Sequence, residues 1–557
     1  MTSRASVIRV TGDMAPLPKL QLDSVSASTV LTLPTPPPED AVLPARRNLG
    51  DSELSYFLPS RADGVNDMYL HLGLTAPDHV FTPARVLPAA ALLRLRHPLL
   101  ASVYQEAAFV YVPPTDVHEA LRQAQSSLTW STDRAEAHID VYLNGPRTLS
   151  QEHLSHIVIS LPAQHHVLTP PASPSPTALA LSPTALPTLP PVVNSIQIDL
   201  LICAAHFIGD GMALHTFGNE LLQLLAGPDE QTGTLRTESQ LGQMLREEIH
   251  QRFACDGPVA LPGSLESGFQ VQPSKFALAA ARVDFFLDQH KCIGGHSFPR
   301  AESKKDRQTI LQTKTFDRAT TTQMLRKCKA NGVSISTALF AACSIAWART
   351  KTASSQPPTL PMMMYSAMNL RPYLPKPESY WFLSVGYFNV VLPAFLPPPE
   401  STPTERIFWH RARSAKTQSA VATNSPLLVP RASIMAVQRG RRARAWARED
   451  DGLPADPADT EPPISLDVGA SAPSRALLGL SLLGNLDAMY KHASYPSIQL
   501  STLNTGSRQR RGGMLLFAYT FAGRLWLSFG WDVHGFDATV VERFWQETNG
   551  CLEEFLV

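Results

Sequence analysis

A chain of 557 residues is longer than one hydrophobic core ordinarily organises, so two lobes of similar size are expected. Lys plus Arg and Asp plus Glu each number 48, which gives zero formal charge and no support for a nucleic-acid or anionic-membrane partner. Hydrophobic residues make up 44% of the chain, enough for sizeable cores, while 48 prolines point to long irregular insertions.

In chain order, residues 1–48 read as an irregular leader around the Pro-rich run LTLPTPPPEDAVLP. Residues 89–96 predict a helix that breaks at His97-Pro98, and AAFVYV (107–112) a strand ended by two prolines. HIVISL (156–161) and IQIDLLICA (196–204) are further strands, the second with an apolar end suited to central burial. Between them, residues 168–191 form a Pro/Ser/Ala-rich stretch whose burial could not offset its chain entropy, and it is read as a disordered insertion. After Gly211, the positions of Met212, Phe217, Leu221, Leu224 and Leu225 recur at helical spacing until Gly227-Pro228. A strand thus leads tightly into a helix.

The second half repeats the pattern. Residues 318–329 predict an amphipathic helix, Asn331-Gly332 a turn, and Ser334 the cap of a largely apolar helix running to Trp347. Strands are expected at 362–367, 387–392, 513–521 and 524–531, and a last helix at 538–555. A third stretch, 452–473, has the composition of a disordered insertion. The expected fold class is α/β (α+β), with an N-terminal lobe over 49–300 and a C-terminal lobe over 301–557.

Six scattered cysteines without a CxxC pair read as reduced core thiols. The N-terminal stretch lacks the apolar run of a signal peptide, no segment reaches the ~20 apolar residues of a membrane span, and the last three residues are not of the SKL type. The expectation is a cytoplasmic or peroxisomal monomer. No metal-ligand spacing and no Gly-rich phosphate loop stands out.

Chemistry concentrates at AAHFIGDGMA (204–213), where His206 and Asp210 bracket a short turn. HxxxD alone is weak, since about one chance match is expected in a chain with this many histidines. The context strengthens it: His206 follows a buried strand, and Gly209 and Gly211 allow a sharp turn. A satisfied structural histidine remains the alternative on these residues alone. The basic run QRGRRARAWAR (438–448) suits an anionic surface, CoA phosphates or a nucleic acid, but the acidic residues that follow favour a solvated face. His215 reads as packing or surface, and FGWD (529–532) as core.

HxxxDG after an apolar strand resembles the active-site signature of the CoA-dependent acyltransferase superfamily that includes chloramphenicol acetyltransferase, BAHD enzymes and condensation domains. LLRLRHPLLAS (92–102), NGVSISTALFAACSIA (331–346), MNLRPYLP (368–375) with GYFNVVLP (386–393), and STLNTG (501–506) resemble further segments in the same order, so the likeness spans about residues 49–557. It implies two chloramphenicol-acetyltransferase-like lobes with the active site in the channel between them. Position 205 is Ala where many relatives have a second His, and no DFGWG loop precedes STLNTG. These departures and the Pro-rich insertions resemble the fungal branch, which acetylates trichothecenes or acylates mannosylerythritol lipids.

The resemblance implies His206 as general base and a structural pairing of Asp210 with Arg371, beside Gly211. Thr502 and Asn504 are the expected oxyanion or acceptor loop, and Arg508, Arg510 and Arg511 are candidates for binding CoA. No cofactor is expected to be bound; acyl-CoA would be a co-substrate, and the other partner a hydroxylated small molecule or glycolipid. A catalytically inactive or carrier-protein-dependent member of the same fold is the alternative.

Overall fold

The computed structural model describes residues 44–161, 195–253, 259–269, 274–303, 305–350, 359–376, 378–459 and 473–557. The leader up to 43, the insertion at 168–191, most of the 452–473 stretch and Cys255 lie outside them.

The first half runs β1 (Ala45–Asn48), α1 (Asp51–Ser60), β2 (Met68–Pro77), α2 (Pro83–Arg96), β3 (Val103–Gln105), β4 (Ala108–Tyr111), α3 (Val117–Gln125), β5 (Leu128–Ser131), α4 (Ala135–Asn144), β6 (Ser155–Ser160), β7 (Ser195–Ala204), α5 (Gly211–Ala226), α6 (Glu238–Phe253) and α7 (Lys275–Lys291). The second runs β8 (Thr309–Phe316), α8 (Arg318–Ala330), α9 (Ile335–Thr350), β9 (Met362–Asn369), β10 (Val385–Leu392), α10 (Thr404–Thr423), α11 (Leu428–Asp450), β11 (Ala476–Asn485), β12 (Gln499–Ser507), β13 (Met514–Phe521), β14 (Arg524–Asp532) and α12 (Ala538–Leu556).

Two large sheets define two lobes. One has the order β12-β2-β7-β6-β5 and the other β10-β9-β11-β13-β14-β8, with a small sheet β1-β4-β3 beside the first. β7 is central in its sheet, and Leu200 to Ala204 are buried because both faces are covered, which is why its C-terminal end reads as a continuous apolar run. α9 is apolar on every side for the same reason: it lies inside the second lobe, with Ala338, Phe340, Cys343 and Trp347 buried. Ser334 Oγ accepts from the Thr337 N–H at 3.2 Å at its start. Phe529 and Trp531 are buried on β14, so FGWD is core.

A division at residue 300 holds for the order of elements but not for the sheets. β12 pairs antiparallel with β2, placing Thr505 opposite Leu70 and Asn504 opposite His71, so the second half supplies the edge strand of the first lobe. STLNTG is therefore strand, not the loop the resemblance implied. α11 also crosses the divide, packing along α1 with an Arg444–Asp51 ion pair at 2.8 Å.

Candidate active site

The strand-to-helix turn after β7 positions the site. Asp210 is the N-cap of α5, its carboxylate accepting from the Ala213 N–H at 3.1 Å. Gly209 lies so close to Trp381 that a Cβ there would sit 3.0 Å from the indole nitrogen, a tight contact that a side chain could make only if the indole gave way. Gly211 is under no such demand, since its nearest neighbour to a Cβ is Leu483 at 3.6 Å. Of the two glycines, only Gly209 is tightly packed.

His206 faces the channel from the start of this turn. Its Nδ1 lies 3.0 Å from the carbonyl oxygen of Gly209. A carbonyl can only accept, so Nδ1 carries the proton and Nε2 keeps a free lone pair in the neutral ring. Tyr56 stacks on the imidazole with ring centroids 4.2 Å apart and planes inclined by 24°. Burial holds the His206 pKa below the usual imidazole value; the Gly209 carbonyl and Asp210 oppose that shift, and the charge of Arg439 adds to it.

Asp210 does not bond to His206. Arg371 Nη1 reaches both its carboxylate oxygens at 2.8 Å, and the Ser384 N–H donates to Oδ2 at 2.8 Å. Arg371 in turn donates to the carbonyls of Tyr380 at 3.1 Å and Phe382 at 2.6 Å. The pair therefore ties the start of α5 in one lobe to the β9–β10 connection in the other.

The cavity between the lobes has a volume of about 1080 Å³, large for a small-molecule pocket. His206, Asp210, Gly211 and Arg371 line it. Thr502 and Asn504 do not: Thr502 is exposed on β12, and Asn504 Oδ1 accepts from the Tyr69 hydroxyl at 3.3 Å. The later residues of that strand, Thr505, Gly506 and Ser507, face the channel instead. Arg508 is buried and donates to the carbonyls of Leu143, Asp63 and Gly145, so it clamps the fold. Arg511 lies outside the channel and donates to the Ser303 carbonyl at 2.5 Å. Of the three arginines expected to bind CoA, Arg510 alone lines the cavity.

Other basic residues converge there. Arg300 and Arg475 line the channel with Arg510, and the charges of the latter two add to burial in pushing the Arg300 pKa below its usual value. Gly512, at φ +61°, accepts from Arg300 Nη1 through its carbonyl at 2.7 Å. The run 438–448 is only in part the solvated face expected: Gln438, Arg439, Arg442 and Trp446 recur at helical spacing on α11 and line the cavity, with Arg442 and Trp446 exposed at its rim. The Arg439 guanidinium lies over the rings of Tyr387, at 4.4 Å, and Tyr56, at 5.2 Å. The two tyrosine hydroxyls touch each other. The period of the basic run was the available signal for Arg439; nothing local to Tyr56, Arg300 or Arg475 marks them, because they meet only in the folded chain.

His215 is buried on α5 beside the Tyr490 hydroxyl, 3.0 Å away, and is a core residue. Among the described residues no three His, Cys, Asp or Glu side chains gather as a metal site, and no single helix is long and apolar enough to cross a membrane.

Two mixed-sheet lobes, the first completed by a strand from the second half of the chain, make up the chloramphenicol-acetyltransferase-like fold shared by CoA-dependent acyltransferases and condensation-type domains. Trichothecene 15-O-acetyltransferase of Fusarium sporotrichioides is similar at a TM-score of 0.64 and 9% identity, over 92% of this chain and 96% of its own. The EpoB cyclization-docking bidomain of Sorangium cellulosum is similar at 0.53 and 13%, over 93% and 88%. The epimerization domain from the third module of tyrocidine synthetase B is similar at 0.53 and 12%, over 93% and 99%. At these identities the likeness is one of fold. No family model matches the chain, and no curated protein matches it in sequence.

Proposed function

We propose that the protein is an acyl-CoA-dependent O-acyltransferase that moves an acetyl or fatty acyl group to a hydroxyl of a lipophilic acceptor, a glycolipid or a terpenoid. The observation that carries this reading is His206: a neutral ring whose Nδ1 is committed to a carbonyl and whose Nε2 is free, in a channel wide enough for two substrates.

A hydroxyl is a poor nucleophile at neutral pH, and Nε2 takes its proton as the oxygen attacks the thioester carbonyl. The tetrahedral intermediate then collapses, the carbon–sulfur bond breaks, and the imidazolium returns the proton to the departing thiolate. The contact between Tyr56 and Tyr387 uses one of their two hydroxyl protons and leaves the other for the developing oxyanion. Burial keeps Tyr56 protonated by raising its pKa well above the usual phenol range. Arg300, Arg475 and Arg510 bring three like charges together in the channel wall, a convergence that an anionic donor such as the CoA phosphates would relieve.

Release of free CoA thiol from a panel of acyl-CoAs, with glycolipid and terpenoid acceptors, tests the proposal. Acceptor-dependent release that is lost in His206→Ala supports it. Absence of release from every acyl-CoA, with activity appearing only when the acyl group rides on a carrier protein, would overturn the donor assignment. Full activity in His206→Ala would overturn the base.

A further inference from the structure

The neutral net charge conceals a local asymmetry on α7. This helix packs against α11 through buried Ala281 and Phe285, and Asp284 and Asp288 pair there with Arg431. Phe285 and Gln289 on the same side line the channel. Its opposite side is apolar and bare: Phe276 is 84% exposed, Val283 59% and Leu287 49%. With Ala280, these positions fall at i, i+4, i+7 and i+11, a continuous stripe along three turns. Soluble surfaces seldom leave large apolar side chains aligned in this way.

The charges beside the stripe identify what covers it. Exposed Lys291 stands beside the stripe on one side, and exposed Lys275 and Arg282 stand further round the helix on the other; Asp284 and Asp288, on the Lys291 side, are partly exposed but paired with Arg431. An apolar stripe between cations is the pattern of a helix lying in the interface of an anionic lipid surface, apolar residues among the acyl chains and cations at the headgroups. We infer that α7 seats the protein on an anionic lipid surface. A partner protein of basic surface would meet the same cations unfavourably. The placement also has a consequence for access: the helix that would contact lipid on one face forms channel wall on the other, so a lipophilic molecule leaving the bilayer meets the cavity across a single helix. The inference stands on α7 alone and does not depend on acyl transfer.

Co-sedimentation of the full chain with phosphatidylcholine vesicles, with and without phosphatidylglycerol, tests it. Binding is expected only when phosphatidylglycerol is present, and should weaken with added salt. The combined variant Phe276→Ser, Val283→Ser, Leu287→Ser should bind at least about tenfold more weakly, as should Lys275→Glu with Arg282→Glu, with unfolding midpoints near that of the parent because none of these side chains is in the core. Binding that the serine variant retains would overturn the proposal. So would a dimer, seen by sedimentation without lipid, that the serine variant dissociates, because the stripe would then be covered by a second copy.

Discussion

Tyr56 and His206 lie face to face, 4.2 Å between ring centroids, and the Arg439 guanidinium lies over the Tyr56 ring at 5.2 Å. The imidazole is thus held in one orientation by the Gly209 carbonyl at its edge and by an aromatic plane on its face. If the stack supplies orientation and Tyr387 keeps its own proton for the oxyanion when the Tyr56 hydroxyl is gone, Tyr56→Phe should preserve most of kcat, while Tyr56→Ala should lower it by about tenfold or more. Steady-state CoA release from both variants decides it; equal losses would assign the effect to the hydroxyl.

The pH profile should respond to Arg439. His206 acts as a base only when neutral, and its pKa lies below the usual imidazole value, so activity should be flat near neutrality and fall on the acid side as pH passes through that lowered pKa. The positive charge of Arg439 contributes to the lowering; Arg439→Gln should therefore raise the pKa and move the acid limb of kcat to higher pH. An unmoved limb would show that the charge is not felt at the ring.

Acid should also cost stability. His215 is buried with its pKa pushed down to about 3, and burial lowers that of His206 in the same direction. The folded state therefore keeps these rings neutral while the unfolded chain protonates them below about pH 6.5. Stability is fully present above that pH and falls as pH drops, by up to about 1.4 kcal/mol per unit for His215, until its folded pKa is reached. Urea unfolding at several pH values measures the slope, and His215→Phe should flatten it.

Asp210 is predicted to matter first for folding. Its carboxylate is buried and meets Arg371, the Ser384 N–H and the Ala213 N–H. Asp210→Ala leaves Arg371 without its partner and should lower stability by roughly 3–5 kcal/mol, while His206→Ala leaves the unfolding midpoint almost unchanged. Chemical denaturation of the two variants separates a structural aspartate from a proton-relay one.

Gly512 reports on the arginine cluster. Its φ of +61° already disfavours a side chain, and a Cβ would lie 1.8 Å from Arg300 Nη1. Gly512→Ala should displace Arg300 and raise KM for acyl-CoA about fivefold or more, with a smaller effect on kcat. An unchanged KM would remove Arg300 from donor binding.

Local pattern was enough for much of this molecule. The apolar end of β7, the glycine-bearing turn and the 3.6-residue period of α5 all express short-range physics, so His206 at a strand-to-helix turn could be read directly from the chain. Apolar periodicity likewise marked α8, and a serine cap followed by a continuous apolar run marked α9. What escaped were elements whose burial depends on distant partners. β12 looks polar because it is an edge strand, and its register against β2, 430 residues away, decides that Thr505 and Ser507 face the channel while Thr502 and Asn504 do not. Arg439 of α11 looked solvated because residues further along the run are acidic, whereas its partners in space are Tyr56 and Tyr387. Sequence by itself determined the local frame of the histidine, because strand, turn and helix are set by residues a few positions apart. Tertiary structure alone decided which charges and rings surround it, because those side chains come from both lobes and share no pattern until the lobes close on one another.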